Sequence, residues 1–379
     1  MAQYRYLFYD LNNPQTAISE LPLTNVSFTS QLNSAGTLSA DLLITDTNEQ
    51  LMSIGRATQP AAAAVYVERS DPDNGVGRSL IWGGIVWGRE YNASTQRISI
   101  QAREFESLLE KGFVDPTIIA ANAVPSTPVT VTEDTFALID FIMHSSGSDN
   151  LISYPFISSG QTASVVYTFT EFKTAFQAIS DLAQGNNGFD FNVNVYWDTD
   201  PTSPTYGRPA NYLNFAYPRL GYVYSASDKN APMLQLPGNI IDYSYFEDGS
   251  LAANEVYTVG ANALWGEAIT FPDNYPLLGA AFNFGDVTSQ ALLDALALGR
   301  NNAYQYPPVT MKVTQSATQQ PYIGFLNPGD DVRVKINDAR FPSGMDTVFR
   351  VSTLTITPNE SGGPEQITYA LTAPANFYN

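Results

Sequence analysis

Alternating apolar and polar residues run through both ends of the chain and predict β-strands there. In the first part, strand-like stretches separated by turn residues occur at 4–11, 26–32, 37–45, 63–69, 79–91 and 96–103. Short strands divided by regular turns are typical of a small antiparallel barrel or sandwich. The pattern returns in the last part, so we predict two similar antiparallel β-barrel domains, at 1–114 and 236–379.

The middle of the chain, 115–235, mixes helical and strand periodicities. Residues 132–146 show apolar residues at helical spacing, with Thr132 or Asp134 as the cap. The second predicted helix, 170–188, has an apolar face made of Phe172, Phe176, Ile179 and Leu182. Strands follow at 189–199 and 212–218. The predicted fold class is therefore mainly β with an α+β middle domain.

Two further elements follow from local patterns. Residues 103–113 predict a helix with Phe105, Leu108 and Leu109 on one face. In the last domain, 239–261 predicts two strands across an acidic turn. A helical insertion near 286–306 ends before two prolines.

Composition narrows the chemistry that the chain can carry. It is 44% hydrophobic and only 15% charged, so uncharged polar residues must cover much of its surface. There is no cysteine and one histidine, which excludes thiolate and His-rich metal sites. The net charge of −19 shows no basic patch for nucleic acid. No apolar run is long enough for a transmembrane helix.

Trp82 and Trp87 lie in a glycine-rich stretch and raise the question of a sugar-binding platform. Five positions apart on a regular strand, they would point to opposite faces unless a bulge intervenes. A platform needs aromatic rings side by side on one exposed face. The spacing therefore favours packing in a core or a subunit interface, and a ligand platform is the weaker alternative.

Candidate acid–base or calcium-binding pairs occur at Asp71 and Asp73, at Asp198 and Asp200, and at Asp330 and Asp331. Each pair lies beside proline or glycine, where aspartate is an ordinary turn residue, and the first breaks calcium-loop spacing. His144 ends a predicted helix, where the helix dipole favours it. We assign no catalytic, cofactor-binding or metal-binding residue from the sequence and predict no enzyme, although a glycosidase pair distant in sequence stays open.

Several blocks together resemble a known family. The stretches at 21–46, 80–114, 240–260 and 326–358 are similar to a minor tail protein of long-tailed phages that infect actinobacteria. That group in turn resembles the baseplate hub, or tail-associated hub, of tailed phages. The blocks cover both ends of the chain in the expected order, whereas 115–235 matches only in its helix-then-strand pattern.

The resemblance implies a structural virion protein at the tail tip. Hubs of this kind are homotrimers whose two similar barrels per subunit adapt a sixfold tail to a threefold tip. The implied partners are a distal tail protein, a tape-measure protein and further tip proteins. DNA would pass through the channel without specific binding, and a negatively charged wall would not hold its phosphates. The alternative, which we favour, is that the negative charge serves ordinary solubility.

Two other functions remain open from the sequence. A protein that binds or hydrolyses cell-wall glycans would show an exposed aromatic row beside two carboxylates. A distal tail ring protein would assemble with sixfold rather than threefold symmetry.

Overall fold

The computed structural model describes residues 2–13, 16–45, 53–115, 117, 128–184, 188–203, 205–225, 228–260, 263–271, 275–284, 287, 290–359 and 365–373. Its contacts divide the chain into two compact units. Unit 1 comprises Met1–Leu220 and Thr353–Ile367, and unit 2 comprises Gly221–Ser352 and Thr368–Asn379. The finer division into three domains at 114 and 235 stays a prediction.

Strands dominate both units. The strands up to residue 216 are β1 (Gln3–Asp10), β2 (Ala17–Glu20), β3 (Thr24–Gln31), β4 (Thr37–Leu43), β5 (Ala63–Asp71), β6 (Val76–Asn92), β7 (Arg97–Glu104), β8 (Val129–Asp134), β9 (Thr162–Tyr167), β10 (Asp190–Trp197) and β11 (Pro209–Ala216). The later strands are β12 (Met233–Leu236), β13 (Ile240–Glu247), β14 (Glu255–Val259), β15 (Trp265–Ile269), β16 (Gly279–Asn283), β17 (Val309–Ser316), β18 (Asp331–Ile336), β19 (Met345–Thr357) and β20 (Gln366–Thr372).

The helices in the described part of the chain are α1 (Ile54–Ala57), α2 (Glu106–Leu109), α3 (Thr135–Ser145), α4 (Ala175–Ala183) and α5 (Gln290–Tyr304). No helix among the described residues is long and apolar enough to cross a membrane. The predicted fold class, mainly antiparallel β with an α+β portion, is confirmed.

In unit 1 the strands of the main sheet follow the order β3-β4-β7-β6-β5-β1-β2, and every neighbouring pair is antiparallel. Residues 353–356 of β19 pair with β3. Helices α3 and α4 and the hairpin β10–β11 bury their apolar residues against this sheet, in one core. Each buried Phe, Leu or Ile stabilises the fold by about 1.5–3 kcal/mol.

In unit 2, β13 pairs with β17, and β18 pairs with both β12 and β19. Strand β17 shows why these residues form a strand: Val309, Met311 and Val313 are buried, whereas Thr310 and Lys312 are exposed. Between β13 and β17 the chain builds a separate three-stranded sheet in the order β15-β14-β16. Helix α5 covers one face of this small sheet.

Two details of the predicted elements are wrong, and the structure decides between the two candidate caps of α3. Strand β7 continues to Glu104, so the helix predicted at 103–113 is only the four-residue α2. Thr132 lies in β8, and Asp134 caps α3 by accepting from the backbone N–H of Phe136. The other error concerns Phe172.

Phe172 lies outside α4, because Thr174 begins that helix with a capping box that uses Gln177. Its side chain is 53% exposed rather than part of the apolar face. The two strands predicted in 239–261 are present as β13 and β14, but they do not pair with each other. Strand β13 pairs with β17, and β14 joins the small sheet. The beginning of the predicted insertion at 286–306, residues 286 and 288–289, lies outside the described residues.

Candidate functional site

Trp82 and Trp87 are packed inside unit 1 rather than displayed as a platform. Trp82 is 1% exposed, lies 6.3 Å from the ring of Phe28, and donates from Nε1 to the carbonyl of Thr29. Trp87 is half-buried against the core and donates from Nε1 to Ser107 Oγ. The strand that carries them bulges between Val86 and Gly88. The two rings therefore serve packing.

The acidic pairs at 198–200 and 330–331 accept hydrogen bonds from backbone amides. Asp198 accepts from the N–H of Asp200 and from the hydroxyl of Thr205. Asp330 accepts from the N–H groups of Tyr222 and Asn327, and Asp331 accepts from that of Tyr224. Asp330 and Asp331 are buried, so they act as internal ties of unit 2 and not as solvated turn residues.

His144 is exposed near the end of α3, and its Nδ1 lies 2.9 Å from Asp149 Oδ2. No cluster of three or more potential metal ligands occurs among the residues that the structure describes. A cleft of about 560 Å³ in unit 2 is lined by prolines, amides, aromatic residues and Met233, without an acidic or basic side chain. None of these places brings together an acid, a base and a nucleophile.

Sequence reasoning missed a buried ionic cluster in unit 1. Arg69 on β5 donates from Nε and Nη2 to the two carboxylate oxygens of Glu365, both at 2.9 Å. It also pairs with Asp71 at 3.2 Å, and the hydroxyl of Tyr4 donates to Glu365. Burial, followed by the charge of Glu365, raises the pKa of Tyr4. The sequence carries no signal for this cluster, because Glu365 is 296 positions from Arg69.

A second buried pair, Glu104 and Glu106, flanks Phe105 at the end of β7. Glu104 accepts from the N–H of Gly36, and Glu106 accepts from that of Val193. Burial raises the pKa of Glu104 to about 8, and burial together with the charge of Glu104 raises the pKa of Glu106. Glu104 therefore connects the end of β7 to the turn between β3 and β4, and Glu106 connects it to β10.

Large apolar side chains are exposed in both units. The most exposed are Phe156 at 86%, Phe271 at 81%, Tyr222 at 72%, Val223 at 66% and Phe325 at 63%. Contiguous exposed apolar surface marks protein contact sites, whereas single residues are ordinary.

One such surface is the outer face of the small sheet, opposite α5. Because side chains alternate along a strand, its members are Glu255, Tyr257, Val259, Trp265, Glu267, Ile269, Gly279, Ala281 and Asn283. Trp265 is 54% exposed, and its ring lies 6.0 Å from that of Tyr257. The Tyr257 hydroxyl donates to Glu255 at 3.0 Å. Hydrogen bonding to Glu255 and then burial raise the pKa of Tyr257 to about 12.

No family model matches the sequence, and neither does any curated protein. Solved structures do match over nearly the whole chain. A tail protein from Neisseria meningitidis aligns with a TM-score of 0.60 and 11% identity, over 98% of this chain and 96% of that one. The 43 kDa tail protein of a Shewanella oneidensis prophage aligns with a TM-score of 0.61 and 12% identity, over 98% of this chain and 99% of that one.

A prophage tail protein from Listeria monocytogenes aligns with a TM-score of 0.54 and 12% identity, over 97% of this chain and 94% of that one. At such identities a structural match establishes the fold and leaves the role open. Both units of the chain and their order are included in each match. The chain therefore has the fold of phage and prophage tail proteins.

Proposed function

We propose that this chain is a structural protein of the virion, the hub at the tail tip of a long-tailed phage that infects actinobacteria. The observation that carries the proposal is the chain-long likeness to tail proteins, which extends over 94–99% of each of those chains. The four sequence blocks that resemble the hub family support the finer assignment to the tip. In this role the protein closes the end of the tail tube.

We propose further that the working form is a homotrimer. Three copies with two β-rich units each would present six similar elements to a sixfold tail and a threefold face to the tip. The exposed apolar side chains in both units support contacts of this kind. The neighbours would be a distal tail protein, a tape-measure protein and other tip proteins, and DNA would pass through without specific binding.

The role that we propose needs no catalysis. The buried ionisable side chains described above bind backbone amides or one another, and such bonds hold a fold together. The glycan-cutting alternative loses Trp82 and Trp87, because Trp82 is buried and Trp87 is packed against the core. Its remaining support is the outer face of the small sheet, where Trp265 and Tyr257 lie on the same face as Glu255 and Glu267.

Light scattering of the purified protein, with electron-microscopy class averages of the protein and of tail tips, tests the proposal. We expect a threefold ring with six similar lobes, either in solution or at the tip. A sixfold ring would assign the chain to the distal tail ring instead. A monomer in solution that is also absent from the tips would overturn the hub.

A further inference from the structure

One edge of the small sheet in unit 2 is open. In a parallel pair, alternate residues of a strand direct their backbone groups to the partner, so Leu278, Ala280, Phe282 and Phe284 face β14. The N–H and C=O groups of Gly279, Ala281 and Asn283 therefore point away from the sheet. Among the described residues, none of these three makes a further hydrogen bond, and all three are exposed.

The opposite edge differs, because α5 covers part of it. The side-chain amide of Gln290 donates to the carbonyl of Trp265 at 2.6 Å, and this carbonyl points away from β14. The sheet thus offers strand pairing along β16. An unpaired strand edge is a ready template for an extended segment of another chain.

The side chains beside the open edge give that template a chemical preference. Gly279 and Ala281 are small, and the Glu255 side chain reaches Gly279: its Oε2 is 3.3 Å from the position that a Cβ on Gly279 would occupy. Oε1 of Glu255 accepts from Tyr257, whereas Oε2 accepts from no described group. A strand added next to β16 would run about 4.8 Å from it. The Oε2 atom of Glu255 therefore lies close to the path of the added strand.

The whole outer face has the same sign of charge. It carries Glu255 and Glu267 and no lysine or arginine, and Trp265 presents an exposed ring beside them. A cation is attracted both to carboxylates and to the face of an aromatic ring, and arginine matches both geometries. Purely apolar protein would instead bury two uncompensated charges, which is costly.

We propose that β16 accepts an extended segment of another protein, which adds a fourth strand to the small sheet and places an arginine or lysine against Glu255. Backbone hydrogen bonds to Gly279, Ala281 and Asn283 provide the binding, and the basic side chain selects the partner. The surface is complete in one copy of the chain. The inference therefore does not depend on the trimer.

The test uses the purified full chain and a synthetic heptapeptide in which arginine and valine alternate between terminal threonines. Binding is measured by titration calorimetry at about 0.15 M salt, which screens long-range attraction to the acidic chain. We expect saturable binding, with the amides of Gly279, Ala281 and Asn283 protected from hydrogen exchange. A peptide with glutamate in place of arginine should not bind.

Two variants separate the backbone and charge contributions. Ala281→Pro removes an N–H that points away from β14, so it should leave the sheet intact and weaken peptide binding at least about tenfold. Glu255→Gln should weaken binding by a similar factor and keep the Tyr257 hydrogen bond. Glu90→Gln is the control. It removes one exposed negative charge on β6 in unit 1 and should not change peptide binding.

Three results would overturn the inference. One is the absence of saturable peptide binding. Another is equal binding by Ala281→Pro, Glu255→Gln and Glu90→Gln, which would mean non-specific attraction to a chain of charge −19. The third is binding of a chitin oligosaccharide, lost in Trp265→Ala, in place of the peptide. A monomeric chain that binds the peptide would support this inference even if the hub assignment failed.

Discussion

Arg69 shows how much a single buried charge depends on its partners. Its guanidinium is 4% exposed and is neutralised by Glu365 and Asp71 within hydrogen-bonding distance. Burying an ion is costly, and attraction to a partner offsets that cost only when the geometry is good. Two parallel N–H···O bonds to one carboxylate provide such a geometry.

Glu365→Gln should therefore be strongly destabilising. It keeps the shape of the side chain but leaves Arg69 with only Asp71, and we expect a loss of about 3 kcal/mol in the free energy of unfolding. Urea denaturation monitored by circular dichroism measures it. Arg56→Gln, at an exposed pair with Asp10, is the control and should cost at most about 1 kcal/mol. Equal effects would refute the role given to burial.

Glu104 predicts a pH dependence. Because its pKa in the folded protein is about 8, above the ordinary value of 4.5, its contribution to stability is full below pH 4.5. That contribution decreases as the pH rises to about 8, since the buried carboxyl must then ionise. Glu104→Gln cannot ionise and should retain its stability. Between pH 5 and pH 8.5, the unfolding midpoint of the natural protein should therefore decrease more than that of the variant. Equal decreases in the two proteins would contradict the role given to Glu104.

At the scale of elements, α5 and the small sheet depend on glycine at the point where they meet. A Cβ on Gly266 would lie 2.6 Å from the backbone of Leu293, too close for any side chain. Gly299 lies in α5, the helix that contains Leu293, and a Cβ on Gly299 would have no atom within 4 Å. The two glycines thus form a matched pair, one packed and one free.

We expect opposite effects when each is replaced by alanine. Gly266→Ala should lower the free energy of unfolding by about 1–3 kcal/mol, because helix and strand must move apart. Gly299→Ala should raise it by about 0.5–1 kcal/mol, because alanine favours the helix. Thermal melts of the two variants make the comparison. Equal changes in the same direction would show that the contact does not limit packing.

Elements were predictable where local signals decide them. Asp134 before an apolar helical pattern marked the beginning of α3, and strict alternation marked β10 and β17. Phe172 was misplaced because the capping box at Thr174 takes precedence over apolar periodicity. Pairing was not predictable either: whether β14 pairs with β13 or with β15 depends on contacts that no turn residue encodes.

For the whole molecule, the sequence predicted the fold class. It did not predict the two units, because each is assembled from separate stretches of chain. Trp82 and Trp87 are packed as expected, although the bulge between Val86 and Gly88 breaks the regular strand on which the spacing argument relied. The open edge at β16 had no sequence signal, since the proximity of Glu255 to Gly279 depends on the pairing of β14 with β16.

Strand β19 has a consequence for the gene. Its residues up to Ser352 belong to unit 2, and those from Thr353 belong to unit 1, where they pair with β3. Strand β20 returns the chain to unit 2, where Thr368 lies 3.1 Å from Thr314. A premature stop codon just before codon 353 would therefore remove strands from both units at once. Neither unit corresponds to a continuous reading frame that a recombination event could exchange alone.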